Sequence, residues 1–215
     1  MKSYIVLGLG RFGLSLAKTL IKLGHDVLAV DNREEIVQEY SDTFTHIIHA
    51  EASSEELLRS IGVRNFDAAV VTMSDIQASV FATVILKELG VRHIISKAIN
   101  NLHASVLYKV GADKVVFPEQ DMGIRAANSL VSSNLVDMIE LSAEYSIMEF
   151  TVPKSWVNKT IEELAVRSKY EINIIAVKEG QHVNVVPLPD TRFTQNNVIA
   201  VLGRNEKLRI LQRIT

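Results

Sequence analysis

The 215 residues include no cysteine, so disulfides, thiolate metal sites and a cysteine nucleophile are all excluded. That absence fits a reducing compartment. No apolar run approaches the ~18 residues that a membrane-spanning helix needs. The opening MKSYIVLGLG lacks a basic segment followed by an apolar stretch and a small-residue cleavage site, so it does not read as a signal peptide. The expectation is a soluble, cytoplasmic protein. Charge of one sign is also missing. The formal net charge is -2, which argues against nucleic acid as a partner. Internal repeats and low-complexity tracts are absent too. A chain of this size buries roughly 70% of its unfolded surface, so it needs no covalent or metal staple.

What is present is a regular alternation. Short apolar, β-branched runs at 4–9, 27–31, 46–49, 68–73, 93–97 and 114–117 alternate with amphipathic segments. Continuous apolar character suits strands buried on both faces. Phe12, Leu16, Leu20 and Leu23 lie on one helical face, and Gly24 stands at the expected stop. Ser53 and Glu56 have capping-box spacing, and the apolar block 76–90 reads as another helix ending in glycine. Six β-α repeats predict an α/β fold, a Rossmann-type doubly wound parallel sheet.

The texture changes after Pro118. Residues 122–136 read as one long crossover helix, extending back to about 119. Strand-like stretches follow at 138–152, 172–177, 183–186 and 198–202, with a helix at 161–168 opened by a second capping-box spacing, Thr160 and Glu163. Pro187 and Pro189 sit in a turn-rich stretch. The expected organisation is a nucleotide-binding domain over 1–137 and a small α+β domain over 138–215.

Gly8-Leu9-Gly10-Arg11-Phe12-Gly13 is a G-x-G-x-x-G that closes a predicted strand and opens a predicted helix. A second strand then ends in Asp31, which supplies the context that makes the motif specific. Gly8 permits the tight turn, Gly10 lets backbone approach phosphate, and Gly13 lets helix and strand pack closely. The helix N-terminus offers N–H donors and partial positive charge to an anion. Asp31 is suited to accept from ribose hydroxyls, and its charge argues against a 2′-phosphate.

Arg11, just inside the loop, suits a ligand carrying more charge than a diphosphate; the plain alternative is a solvated arginine. Further contacts are expected where strands end, at Asn32, at Glu51 and Ala52, at Met73 to Asp75, and at Lys97. Lys97 serves phosphate or is a surface lysine. Glu119 is either a favourable charge at a helix N-terminus, the reading its position favours, or a cation ligand near the phosphates.

Equipment for reaction is hard to find. The chain holds no Tyr-x-x-x-Lys and no G-x-x-x-x-G-K-[ST]. His46 and His49, three apart on a predicted strand, point to opposite faces, which speaks against a shared metal. From residue 138 onward the only histidine is His182. The competing classes are an NAD-dependent oxidoreductase and an NADH-reading redox sensor. The first needs a proton-transfer residue not evident here, and a DNA-binding sensor needs a basic helix-turn-helix.

Taken together, VLGLGRFG, Ala29 to Asp31, SDIQAS at Ser74 to Ser79 and GADKVVFPEQDMG from Gly111 to Gly123 closely resemble the RCK family, the regulators of K+ conductance. Within it they are most similar to the cytosolic subunits of Ktr-type bacterial potassium uptake. The resemblance runs over essentially the whole chain, a TrkA-N (RCK_N) domain followed by a TrkA-C (RCK_C) domain.

It implies a regulator and not an enzyme, with ATP or ADP in the Rossmann cleft and NAD(H) in some relatives. It implies a homodimer assembling to an octameric ring, peripheral at the inner face of the cell membrane beneath a membrane-embedded K+ transporter subunit of the KtrB or TrkH kind. Carried over by position, Gly8, Gly10, Phe12 and Gly13 form the phosphate loop, Asp31 holds ribose, and Arg11 meets the γ-phosphate. Glu119 joins a divalent-cation site such as one for Mg2+. Arg167, Asn173 and Pro187 match contacts for cyclic di-AMP in the second domain.

Overall fold

The computed structural model describes residues 1–131 and 135–211, the side chains at 128, 129 and 131 excepted. The chain divides into two compact units, Met1–Gln120 and Asp121–Thr215.

In the first unit, strands β1 (Ser3–Leu7), β2 (Asp26–Asp31), β3 (His46–His49), β4 (Ala68–Val71), β5 (Ile94–Lys97) and β6 (Lys114–Val116) form one parallel sheet in the order β3-β2-β1-β4-β5-β6. This is the doubly wound arrangement that the β-α alternation predicts. Successive side chains of a strand face opposite ways, and here both faces are covered. Ile5 and Leu7 pack with Val30, Val71, Leu58 and Leu86 on one side. Val6 packs with Ala29, Val70, Ala17 and Phe44 on the other. A fully buried aliphatic side chain of this kind contributes roughly 1.5–3 kcal/mol.

The helices of this unit are α1 (Arg11–Lys22), α2 (Glu34–Tyr40), α3 (Glu55–Ser60), α4 (Ile76–Glu88) and α5 (Asn101–Val110). β1 stops at Leu7, short of the predicted Leu9, because Gly8 takes φ +95° and turns the chain. The cap of α3 is Ser54, not Ser53. Ser54 Oγ accepts from Leu57 N–H at 3.3 Å, while Ser53 Oγ donates to Glu51 at 3.0 Å. With the helix starting at Glu55, only Ser54 stands where its oxygen meets the orphan N–H groups.

Helix α6 spans Pro118–Val131, its start matching the predicted extension back to about 119. Proline suits a first helical turn because its missing N–H is an orphan there anyway. Leu135 and Val136 belong instead to a strand, and residues 132–134 of the predicted helix lie outside the described residues.

In the second unit, β7 (Leu135–Glu140), β8 (Tyr145–Thr151), β9 (Asn173–Glu179), β10 (His182–Asn184) and β11 (Asn197–Arg204) form an antiparallel sheet in the order β10-β9-β11-β8-β7. The predicted strand-like stretches over 138–152 fall in a hairpin, closed where Leu141 N–H donates to Tyr145 O at 2.9 Å. The predicted helix 161–168 is two helices, α7 (Ile161–Leu164) and α8 (Val166–Tyr170). Ala165 between them adopts φ +47°, which ends one helix and starts the next. The capping box of Thr160 and Glu163 is formed in both directions, at 3.1 and 2.8 Å. Helix α9 (Asn205–Leu211) follows β11. Phe150, Phe193, Ile199, Leu208 and Trp156 form the core of this unit, the indole stacked on Phe193 at 6.2 Å.

Candidate functional site: a cleft at the strand ends of the first unit

The turn between β1 and α1 follows from its glycines. A Cβ at Gly13 would stand 2.1 Å from Gly8 O and 2.4 Å from Thr72 Oγ1, so no other residue fits. A Cβ at Gly8 would meet Met73 at 3.1 Å, on a backbone that side chains already resist. Gly10 differs, since nothing lies within 4 Å of a Cβ there and its surroundings are open to a ligand. Gly10 is also the N-cap of α1, with no side-chain oxygen bonding the first helical N–H groups. Thr72 tightens the turn from the neighbouring strand, its hydroxyl donating to Gly8 O at 2.5 Å.

This loop opens into a cleft of about 540 Å³. The cleft brings together Gly8, Gly10, Asp31, Asn32, Glu51, Ala52 and Met73, drawn from the ends of β1, β2, β3 and β4. On its rim, Glu51 accepts from Asn32 Nδ2 at 3.1 Å and from Ser53 Oγ at 3.0 Å. Gln77 and Ala78, within the SDIQAS segment, also line it, as do Arg33, Thr72 and Phe81, which sequence reasoning does not single out. Of these only Arg33 left a readable signal, a cation two residues beyond the motif carboxylate. The cleft's position beyond the carboxyl ends of parallel strands is where open α/β sheets bind ligands.

Asp31 is 4% exposed and fully engaged. Oδ2 accepts from Leu9 N–H at 2.6 Å and from Arg33 Nη2 at 2.9 Å. Oδ1 accepts from Arg33 N–H at 3.0 Å and Arg33 Nε at 2.9 Å. Burial alone would raise its pKa. The Arg33 and Leu9 hydrogen bonds and the Arg33 charge outweigh that and hold the carboxyl below its ordinary range. The same pairing raises the pKa of Arg33. As a bare carboxylate Asp31 would repel a 2′-phosphate. Here that charge has its counter-cation beside it.

Lys97, Glu119, Arg11, Phe12 and Gly13 do not line this cleft. Gly13 is buried against the loop, Phe12 is half-buried, and Arg11 is exposed. Lys97 is buried at 6% exposure, so the surface-lysine alternative falls. Its ammonium donates to Ser74 Oγ at 3.3 Å and to Glu119 Oε1 at 3.1 Å. Partial burial pushes Glu119 up. Its own backbone N–H, Lys97 and the charge of Arg11 more than offset this, and its pKa is lowered. Lys97 on β5 and Glu119 on α6 thus form an ion pair, and the charge of Arg11 on α1 acts on Glu119. Among the described residues no three or more His, Cys, Asp or Glu gather to hold a metal. Glu119 supplies one hard oxygen, which suits a cation whose other ligands are phosphate and water.

In the second unit Arg167 Nε donates to Asn173 Oδ1 at 2.9 Å, both side chains being exposed. Pro187 is half-buried in the segment after β10.

Fold and cleft define a Rossmann-type unit with a nucleotide-style glycine loop, followed by a small antiparallel α+β unit. A TrkA-N domain model matches residues 4–118 and a TrkA-C domain model matches residues 147–214, and the chain belongs to this family, whose members are the RCK proteins. It is 42% identical over 203 residues to the Ktr system potassium uptake protein C of Bacillus subtilis, covering 94% of this chain and 92% of that one. It is 40% identical to protein A of the same system and organism over 209 residues, covering 97% and 94%. Protein A of Vibrio alginolyticus is 33% identical over 208 residues, covering 96% and 94%.

Among solved structures, the GsuK RCK domain superposes with a TM-score of 0.71 at 18% identity, covering 99% of this chain and 47% of that one. The GsuK channel gives 0.73 at 17%, covering 99% and 39%. The chain spans less than half the length of these two, and the likeness is one of fold. The relatives support a regulatory role in K+ transport. No described helix is long and apolar enough to cross a membrane.

Proposed function

We propose that the cleft binds an adenine nucleotide, ATP or ADP, as a signal and not as a substrate, and that exchange between them gates K+ uptake through a membrane partner. The observation that carries this reading is the Gly8–Gly13 loop. It delivers an α1 N-terminus without a side-chain cap to a cleft that also holds the Asp31 carboxylate, which accepts from Leu9 N–H of the loop. Phosphates lie at the first and ribose at the second. Two related solved structures are described as the GsuK channel bound to NAD and GsuK bound to ADP. They favour a dinucleotide or nucleotide ligand here, NAD(H) being the second candidate.

Signalling requires differential affinity, because a ligand binding two shapes equally shifts neither. Arg11 and Glu119 supply the difference in this reading. In this reading a γ-phosphate and a cation such as Mg2+ add to the charge balance that Lys97 and Arg11 set at Glu119. The working domains are 1–137, with the crossover helix, and 138–215. In the second, Arg167, Asn173 and Pro187 are the candidate contacts for cyclic di-AMP.

The chain acts in this reading as a homodimer that builds an octameric ring, in the cytoplasm at the inner face of the membrane. Its partner is a K+ transporter subunit of the kind the Ktr systems use. Large exposed apolar side chains on the adjacent helices α4 and α5, Phe81 at 53% and Leu102 at 77%, support self-association.

Isothermal titration with ATP, ADP, NADH and cyclic di-AMP, each with and without Mg2+, tests the proposal. Tight ATP and ADP binding with a cation effect confined to ATP is expected. Tight NADH binding with weak ATP binding would transfer the assignment to a redox sensor or an NAD-dependent oxidoreductase.

A further inference from the structure

The geometry points to Arg33 as a built-in competitor for the ribose end of the cleft, one that makes nucleotide binding a swap of donors on Asp31. This rests on reading the cleft as a nucleotide site. A carboxylate offers about four lone-pair positions. On Asp31 all four are taken, two at each oxygen, by Leu9 N–H, Arg33 N–H, Arg33 Nε and Arg33 Nη2. The two backbone donors belong to the loop and to the start of the segment entering α2, so they stay where the fold puts them.

The other two donors belong to one guanidinium, whose side chain is 46% exposed and lines the same cleft. Ribose hydroxyls that donate to Asp31 must therefore displace the Arg33 fork. Bidentate guanidinium–carboxylate pairing is the strong form of this contact. Its half-exposed arginine partner makes it displaceable, since water can take over the freed donors.

Two consequences follow. Arg33 lowers affinity for any nucleotide with free 2′- and 3′-hydroxyls. It also blunts discrimination between ribose and 2′-deoxyribose, because a ligand lacking one hydroxyl can leave part of the fork in place. Arg33 is thus a specificity-determining residue that acts through Asp31.

The full chain and its Arg33→Ala and Arg33→Gln variants, each checked for folding by circular dichroism, are titrated with ADP and with 2′-deoxy-ADP. R33A is expected to bind ADP about tenfold more tightly than the wild type, the scale of one strong paired contact, and R33Q to fall between. The preference for ADP over 2′-deoxy-ADP should widen in R33A. Weaker or unchanged ADP binding in R33A overturns the inference, as does equal tightening of both ligands. Binding of neither ligand by wild type or variant overturns the nucleotide reading itself, and the inference with it.

Discussion

Gly13 and Arg11 lie two residues apart, yet one is set by space and the other by charge. With its Cβ 2.1 Å from Gly8 O, Gly13→Ala must push apart the loop backbone and the Thr72 hydroxyl that bonds it. Overpacking of this sort costs roughly 1–3 kcal/mol or more. A denaturant melt of the variant should show that loss, and any remaining folded protein should bind nucleotide poorly. Arg11 is exposed and its charge acts on Glu119. Arg11→Ala should therefore leave stability within about 0.5 kcal/mol of wild type. It should spare ADP binding and reduce the preference for ATP, as read by paired titrations. Equal loss of both nucleotides would refute the γ-phosphate role.

Helix α5 carries a cost that its packing tolerates. Asn100 caps it well, accepting from His103 N–H at 2.8 Å. The His103 ring is 2% exposed, and neither nitrogen has a hydrogen-bond partner among the described residues. Burial lowers its pKa, so the unfolded chain takes up a proton more readily than the folded one. The folded state thus keeps its full stability above the ordinary histidine value of 6.5 and loses stability as pH falls through it. His103→Leu should flatten this acid limb in urea melts run from about pH 7.5 to about pH 5. At neutral pH it should also raise stability by about 1 kcal/mol, since an unpartnered buried polar group costs 1–3. A steeper acid limb in the variant would contradict the assignment.

Among the described residues, the clusters packed on the parallel sheet and the cluster around Phe150 and Phe193 have no side chain in common. Calorimetry of the intact protein should therefore resolve two transitions, unless their midpoints coincide. Saturating ATP should raise only the transition of the first unit. At one hundred times the Kd the added stability is about 2.7 kcal/mol. Movement of the second transition alone would place the nucleotide elsewhere. Cyclic di-AMP, if it binds through Arg167 and Asn173, should do the reverse.

Periodicity and local chemistry carry far in this chain. Six apolar runs between amphipathic segments give the parallel sheet, and the glycine spacing with Asp31 locates the cleft, because both are written in residues close in sequence. The Thr160 and Glu163 cap is equally local, and it formed as expected. Breaks that depend on backbone choice were less legible. Ala165 splits a helix whose composition is continuous, and Leu135 and Val136, read as helix, belong to β7. Contacts between distant elements were not legible at all. Lys97 and Glu119 lie 22 residues apart on β5 and α6, and nothing in their spacing shows that a buried ammonium meets an exposed carboxylate. Arg33 is near Asp31 in sequence, but only the turn after β2 brings its fork back onto the carboxylate. Propensity acts within a few residues along the chain, whereas the partner of a charge depends on how the chain crosses itself.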